Sequence, residues 1–189
     1  MDFALSAEAE RLSSSMWEFM RDEVVPAEKV WAEHLAEHGV HSHPAVMEDL
    51  KVSARERGLW NLFHHKYSGL SNVEYAAIAE ISGWSPVLAP EAINCQAPDT
   101  GNMETLELFA TPEQRTQWLE PLLDGTIRSA FDMTEPDVAS SDATNIETSI
   151  VSDGGDWVIN GRKWWITGVA DERCQMFIVM GKTSPDAAP

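Results

Sequence analysis

The chain has 189 residues, enough for one large domain or one and a half average ones, and a chain of that size can bury about 70% of its unfolded surface. Its 31 acidic residues against 13 basic ones give a formal charge of −18, which disfavours nucleic acid and anionic membrane surfaces as partners. Cys95 and Cys174 lie far apart without CxxC spacing and read as free thiols. The opening MDFALSAEAE has no basic n-region, and no apolar run reaches membrane length, so a cytoplasmic protein without a leader is expected.

Leu12, Met16, Phe19, Met20 and Val24 recur at helical spacing behind Ser6 as N-cap, with Glu8 and Glu10 in the first turn. Pro26 is expected to end or kink that helix. Val30, Trp31 and Leu35 carry a second, shorter stripe to a stop at Gly39. Pro44 suits the first position of a third helix, whose buried face would be Val46, Met47, Leu50 and Ala54, ending near Gly58. Ser71-Asn72-Val73-Glu74 is a capping box that opens a helix over 75–82. Thr111-Pro112-Glu113-Gln114 repeats the device ahead of Trp118 and Leu119. Residues 1–125 therefore read as a helical bundle. After Gly125 the period changes to two: Ile146, Thr148 and Ile150 alternate with polar neighbours, Gly154-Gly155 punctuates, and Met176–Met180 forms a last apolar strand. Residues 126–189 read as about four strands with unpaired edges, an incomplete antiparallel β domain, so the fold class is α+β with the boundary near 124–126.

The stretch 131–167, FDMTEPDVASSDATNIETSIVSDGGDWVINGRKWWIT, carries the chemistry. Phe131-Asp132-Met133-Thr134 is a short β-prone segment closed by Pro136. Ala139-Ser140-Ser141-Asp142 is small enough for amides and hydroxyls to approach an oxyanion. Asn160-Gly161 is the preferred pair for a two-residue type I′ turn, which predicts a hairpin joining Val158-Ile159 to Lys163–Thr167. In such a strand Lys163, Trp165 and Thr167 share one face and Trp164 and Ile166 the other, so an indole and a hydroxyl stand side by side, suited to a flat ring with a polar edge. The plainer alternative is a Trp pair packed in a core.

MTEPDVASSD followed by VINGRKWWIT resembles the acyl-CoA dehydrogenase family, whose middle domain carries a TEP-x-x-(G/A)-S-D loop and a later W-(I/S)-(T/S). GLSNVEYA and NCQAPDTGNMETL resemble the branch found as the dehydrogenase part of larger multidomain proteins. The resemblance implies that 1–125 is the family's N-terminal helical domain and 126–189 part of its flavin-binding middle β domain. The family's C-terminal helical bundle would then be absent. It further implies an FAD-dependent enzyme of fatty acid metabolism that desaturates an acyl-CoA thioester at the α,β position. Hydride would pass to flavin N5 and electrons on to an electron-transfer flavoprotein, in a homo-oligomer when full length. By the same resemblance Phe131, Met133 and Thr134 run along the flavin, the latter two at its N1/O2 edge. Ser141 reaches the pyrophosphate and the substrate, Ser140 shares that role, Trp165 and Ile166 pack at the ring, and Thr167 sits near N5. No catalytic base is assigned: the family's Glu lies in the part this chain lacks, and Glu135 is given a structural role. Asp132 stands where relatives carry a small neutral residue. It is expected to turn to solvent or a basic partner, since a carboxylate beside a reduced flavin would oppose charge development. Asp137-Val138-Ala139 lacks the glycines common in relatives.

Other readings remain open at this point. His34-Leu35-Ala36-Glu37-His38 matches the H-x-x-E-H zinc pattern, but Gly39 follows at once and no downstream Glu ligand is evident, so no metal is assigned. His41, His43 and the pair His64-His65 lack ligand spacing. A truncated, non-catalytic form that binds flavin or a partner is a second alternative, and an acyl-CoA oxidase or flavin monooxygenase on the same scaffold a third.

Overall fold

Ser6 opens the first helix by accepting the Ala9 N–H at 3.2 Å. In this computed structural model, which describes residues 4–184, α1 spans Ala7–Phe19 and buries Ala9, Leu12, Met16 and Phe19. Pro26 does not stop the helix. A π-helical turn over Met20–Val24 widens the ladder ahead of it, and α2 continues over Val25–His38 to Gly39, whose φ of 97° ends it. The second stripe is weaker than expected: Trp31 and Leu35 are half-buried and Val30 is exposed. α3 starts two residues late, at Val46, with Pro44 ahead of its N-cap, and ends at Glu56. It buries Met47, Leu50 and Ala54, and also Lys51, whose ammonium lies 2.8 Å from Glu48 and 3.5 Å from Glu91. α4 (His65–Ser68) is one turn, and α5 (Asn72–Ser82) opens with the expected capping box. α6 (Leu88–Ala92) and α7 (Asp99–Phe109) follow. The second capping box at Thr111 starts α8 (Pro112–Gln114), a π-helical turn over Arg115–Leu119 and α9 (Glu120–Leu123).

A buried amide latch closes this helical unit. Asn94 donates to Asn61 Oδ1 at 2.7 Å and to the Leu122 carbonyl at 3.0 Å. Asn61 and Trp60 Nε1 donate to the Leu123 carbonyl at 2.9 and 2.8 Å. The unit ends at Thr126, and a second begins at Ile127.

In the second unit β1 (Arg128–Asp132) pairs in parallel with β4 (Cys174–Val179), and β2 (Ser149–Asp153) pairs antiparallel with β3 (Asp156–Asn160). The antiparallel sheet agrees with the expected class; the β1–β4 ladder is parallel instead. Lys182 ties the two pairs: its carbonyl accepts the Ile150 N–H at 2.8 Å and its N–H donates to the Thr148 carbonyl at 2.7 Å.

The hairpin lies elsewhere than the Asn-Gly pair implies. The turn is Gly154-Gly155, both at positive φ (59° and 108°), whereas Gly161 keeps an ordinary backbone. Gly161 serves close approach: a Cβ there would overlap the Thr148 side chain. Residues 161–167 are not a strand, so the alternation of Lys163, Trp165 and Thr167 on one face does not hold; Trp165 itself turns through φ 54°.

Candidate functional site

Glu135 is the hub of the second unit. Its backbone N–H donates to Ser140 Oγ at 2.8 Å. Its carboxylate accepts from the Glu147 N–H at 2.7 Å, the Thr148 N–H at 2.9 Å and Lys163 Nζ at 2.8 Å. Burial alone raises a carboxyl's pKa, but the Lys163 ammonium and the Glu147 and Thr148 donors outweigh it and hold Glu135 at about 2. A carboxylate so saturated is not free to take a proton from a substrate.

Lys163 Nζ also donates to the Met133 carbonyl at 2.9 Å, and the Trp164 N–H to the Thr134 carbonyl at 3.1 Å. The end of β1 and the Trp pair are thus brought together as the sequence-based site requires, through backbone pairing rather than through a hairpin. Phe131 is exposed on β1, Met133 and Thr134 are half-buried beyond its end, and Ile166 is half-buried after the Trp turn. Trp165 and Thr167 lie on the surface, the indole 80% exposed and 5.4 Å from the ring centre of Trp164. The two serines part company. Ser140 is buried, its hydroxyl engaged by Glu135, while Ser141 is exposed at the loop.

Asp132 is half-buried, and the basic group whose charge acts on it is Lys163. Its Oδ1 is buried with no hydrogen-bond partner among the described residues, and this desolvation pushes its carboxyl pKa up, against the pull of the Lys163 charge. Sequence reasoning missed Lys163 as the partner of Glu135. The available signal was an acidic residue and a lysine each set beside residues of a buried strand end, where charges persist only in pairs.

The histidine motif gathers nothing further. His34 and His38 stack with centroids 4.2 Å apart and His38 Nδ1 lies 3.1 Å from the His34 carbonyl oxygen, but among the described residues no group of three or more His, Cys, Asp or Glu could hold a metal ion. Nor is any helix among them long and apolar enough to cross a membrane.

The N-terminal domain model of the acyl-CoA dehydrogenases matches residues 6–126, and the middle domain model matches 130–188. The chain belongs to the acyl-CoA dehydrogenase family. It is 58% identical over 190 residues to FadE2 of Mycobacterium tuberculosis, described as a probable acyl-CoA dehydrogenase, covering 100% of this chain and 47% of that protein. A solved chain from Mycobacterium abscessus, assigned to the acyl-CoA dehydrogenases, superposes with TM-score 0.91 at 48% identity, over 97% of this chain and 48% of that one. Glutaryl-CoA dehydrogenase of Mycobacterium smegmatis, solved in complex with FADH2, shares the fold at TM-score 0.70 and 22% identity, over 95% and 43%. The chain thus spans about half the length of these relatives, and 24% of longer animal ones.

Proposed function

We propose that this chain supplies part of the flavin site of an FAD-dependent acyl-CoA dehydrogenase acting in fatty acid metabolism. The observation that carries the reading is Trp165. A large aromatic residue held at φ 54° costs about 1–3 kcal/mol of backbone strain, and its indole is left 80% exposed. Strain retained to present an apolar face is accounted for by a flat ligand packed on that face. The neighbouring groups fit the same ligand: Phe131 and Ile166 are apolar, and Thr134 and Thr167 offer hydroxyls for a polar edge.

When bound, FAD supplies a two-electron acceptor for a hydride leaving the β-carbon of an acyl-CoA thioester. Trp165 and Ile166 would pack on the ring, Phe131 would run along it, Met133 and Thr134 would line its N1/O2 edge, Thr167 would approach N5, and Ser141, with Ser140 behind it, would meet the pyrophosphate and the thioester. Glu135 holds the loop and moves no proton; likeness to the family assigns the base that takes the α-proton to residues outside this chain. An electron-transfer flavoprotein is the proposed electron acceptor, and a homo-oligomer the proposed assembly. The test is the absorption spectrum of the purified protein with FAD. Flavin bands that bleach when an acyl-CoA is added are expected of the protein that also carries the base. Bands that persist in the presence of acyl-CoA would leave a flavin-binding protein without this activity, and a colourless protein that takes up no FAD would end the proposal.

A further inference from the structure

Glu135 is buried and Lys163 largely so, with 5% and 11% of their side-chain surfaces exposed, and their charged atoms lie 2.8 Å apart. A buried ion pair is seldom the most stable way to fill a core, since apolar side chains of similar volume often do as well or better. What it offers instead is direction. One ammonium donates to two acceptors, the Met133 carbonyl and Glu135 Oε1, and these flank Thr134. The next residue, Trp164, donates its N–H to the Thr134 carbonyl itself. Three consecutive residues, 133–135, are thereby read by two consecutive residues, 163 and 164. A slip of one residue between the segments breaks all three contacts. The same carboxylate fixes Glu147 and Thr148, and the Glu135 N–H fixes Ser140, so the loop bearing Ser141 is tied to the same point.

We propose that Lys163 is a positioning residue: it sets the register between the Met133–Thr134 backbone and the Trp164–Trp165 turn, and so the spacing of the two sides of the flavin site. The inference rests on the flavin reading above. Because Glu135 neutralises the ammonium, Lys163 acts on the ligand by position and not by charge.

Two variants separate position from stability: Lys163→Met, which strands the Glu135 carboxylate, and Glu135→Gln/Lys163→Met, which removes both charges. FAD affinity is titrated by flavin fluorescence at a temperature where each protein is folded, alongside thermal unfolding and hydrogen exchange of the Trp164 amide without ligand. The single variant is expected to melt earlier and the double variant to recover most of that loss. In both, the FAD dissociation constant is expected to rise about tenfold or more, and the Trp164 amide to exchange at least about tenfold faster while the Met180 amide, bonded to the Asp132 carbonyl, changes little. A double variant whose FAD affinity and Trp164 exchange return to within about twofold of the parent, together with its stability, would overturn the inference and leave the flavin reading intact. A parent protein that binds no FAD would overturn both.

Discussion

In the helical unit the stripe that starts at Leu12 ends inside: Met16, Phe19, Met20 and Val24 are all buried and pack with Met47, Leu59, Ile78 and Ile93. In the β unit most apolar residues of β2 and β3 stay outside, with Val151, Trp157, Val158 and Ile159 each at least half exposed and Ile150 half-buried, while Ile127, Ala130, Ile146 and Met176 are buried. Its order comes from the Glu135 hub, whose carboxylate and N–H bind four residues in three other segments of the chain. Hydrophobic burial is non-directional and tolerates conservative exchange, whereas a buried charged hub tolerates neither loss of a partner nor loss of charge. The unit that carries the site is thus geometrically specified and thinly cored, and the unit that carries the bulk of the core is the reverse.

The sharpest break of that contrast is Glu135→Ala against Phe19→Ala. Each is expected to cost about 3–5 kcal/mol, the first by stranding a buried ammonium and the second by opening a cavity. Glu135→Ala should loosen the β unit while the helical circular dichroism persists, and Phe19→Ala should lower that helical signal's melting temperature. Equal loss of helical signal in both would contradict the contrast. Gly125→Ala should cost about 1–3 kcal/mol in the helical unit, because Gly125 sits at φ 64° and a Cβ would come within 2.9 Å of the Trp60 ring. Denaturant unfolding followed by circular dichroism reads it.

Acid sharpens the comparison further. Glu135 is held at about 2 in the folded protein against an ordinary value of 4.5, so its stabilisation is fully present above about pH 4.5 and is lost as the pH falls towards 2. Hydrogen exchange at Thr148 should rise steeply across that window, and Glu135→Gln should abolish the pH dependence. The smallest effect is expected on the exposed hairpin. Ile159→Thr, on a residue 53% exposed, should change stability by less than about 0.5 kcal/mol in thermal unfolding.

Local signals were legible where the physics was local. The caps at Ser6, Ser71 and Thr111 and the α1 stripe follow from side-chain hydrogen bonds and helical period alone, and all are found. The hairpin was misplaced because Asn160-Gly161 and Gly154-Gly155 compete as turn formers, and only the crowding of Gly161 against Thr148, a contact made in three dimensions, distinguishes the glycine's role. For the candidate site, the family resemblance set the segments around Thr134 and Trp165 against one flavin, while the residues alone paired 163–167 with Val158-Ile159. The left-handed turn at Trp165, the inward Ser140 and the Lys163–Glu135 pair could not be read from it, since each depends on contacts across 5 to 30 residues of chain.

The central claim is that the exposed indole of Trp165 is a platform for FAD. Equilibrium titration of the parent protein and Trp165→Ala with FAD tests it most directly. The account predicts saturable binding by the parent, a dissociation constant at least about tenfold higher in Trp165→Ala, and unchanged thermal unfolding without ligand. FAD affinity indifferent to the loss of the indole, in a folded protein, would contradict it.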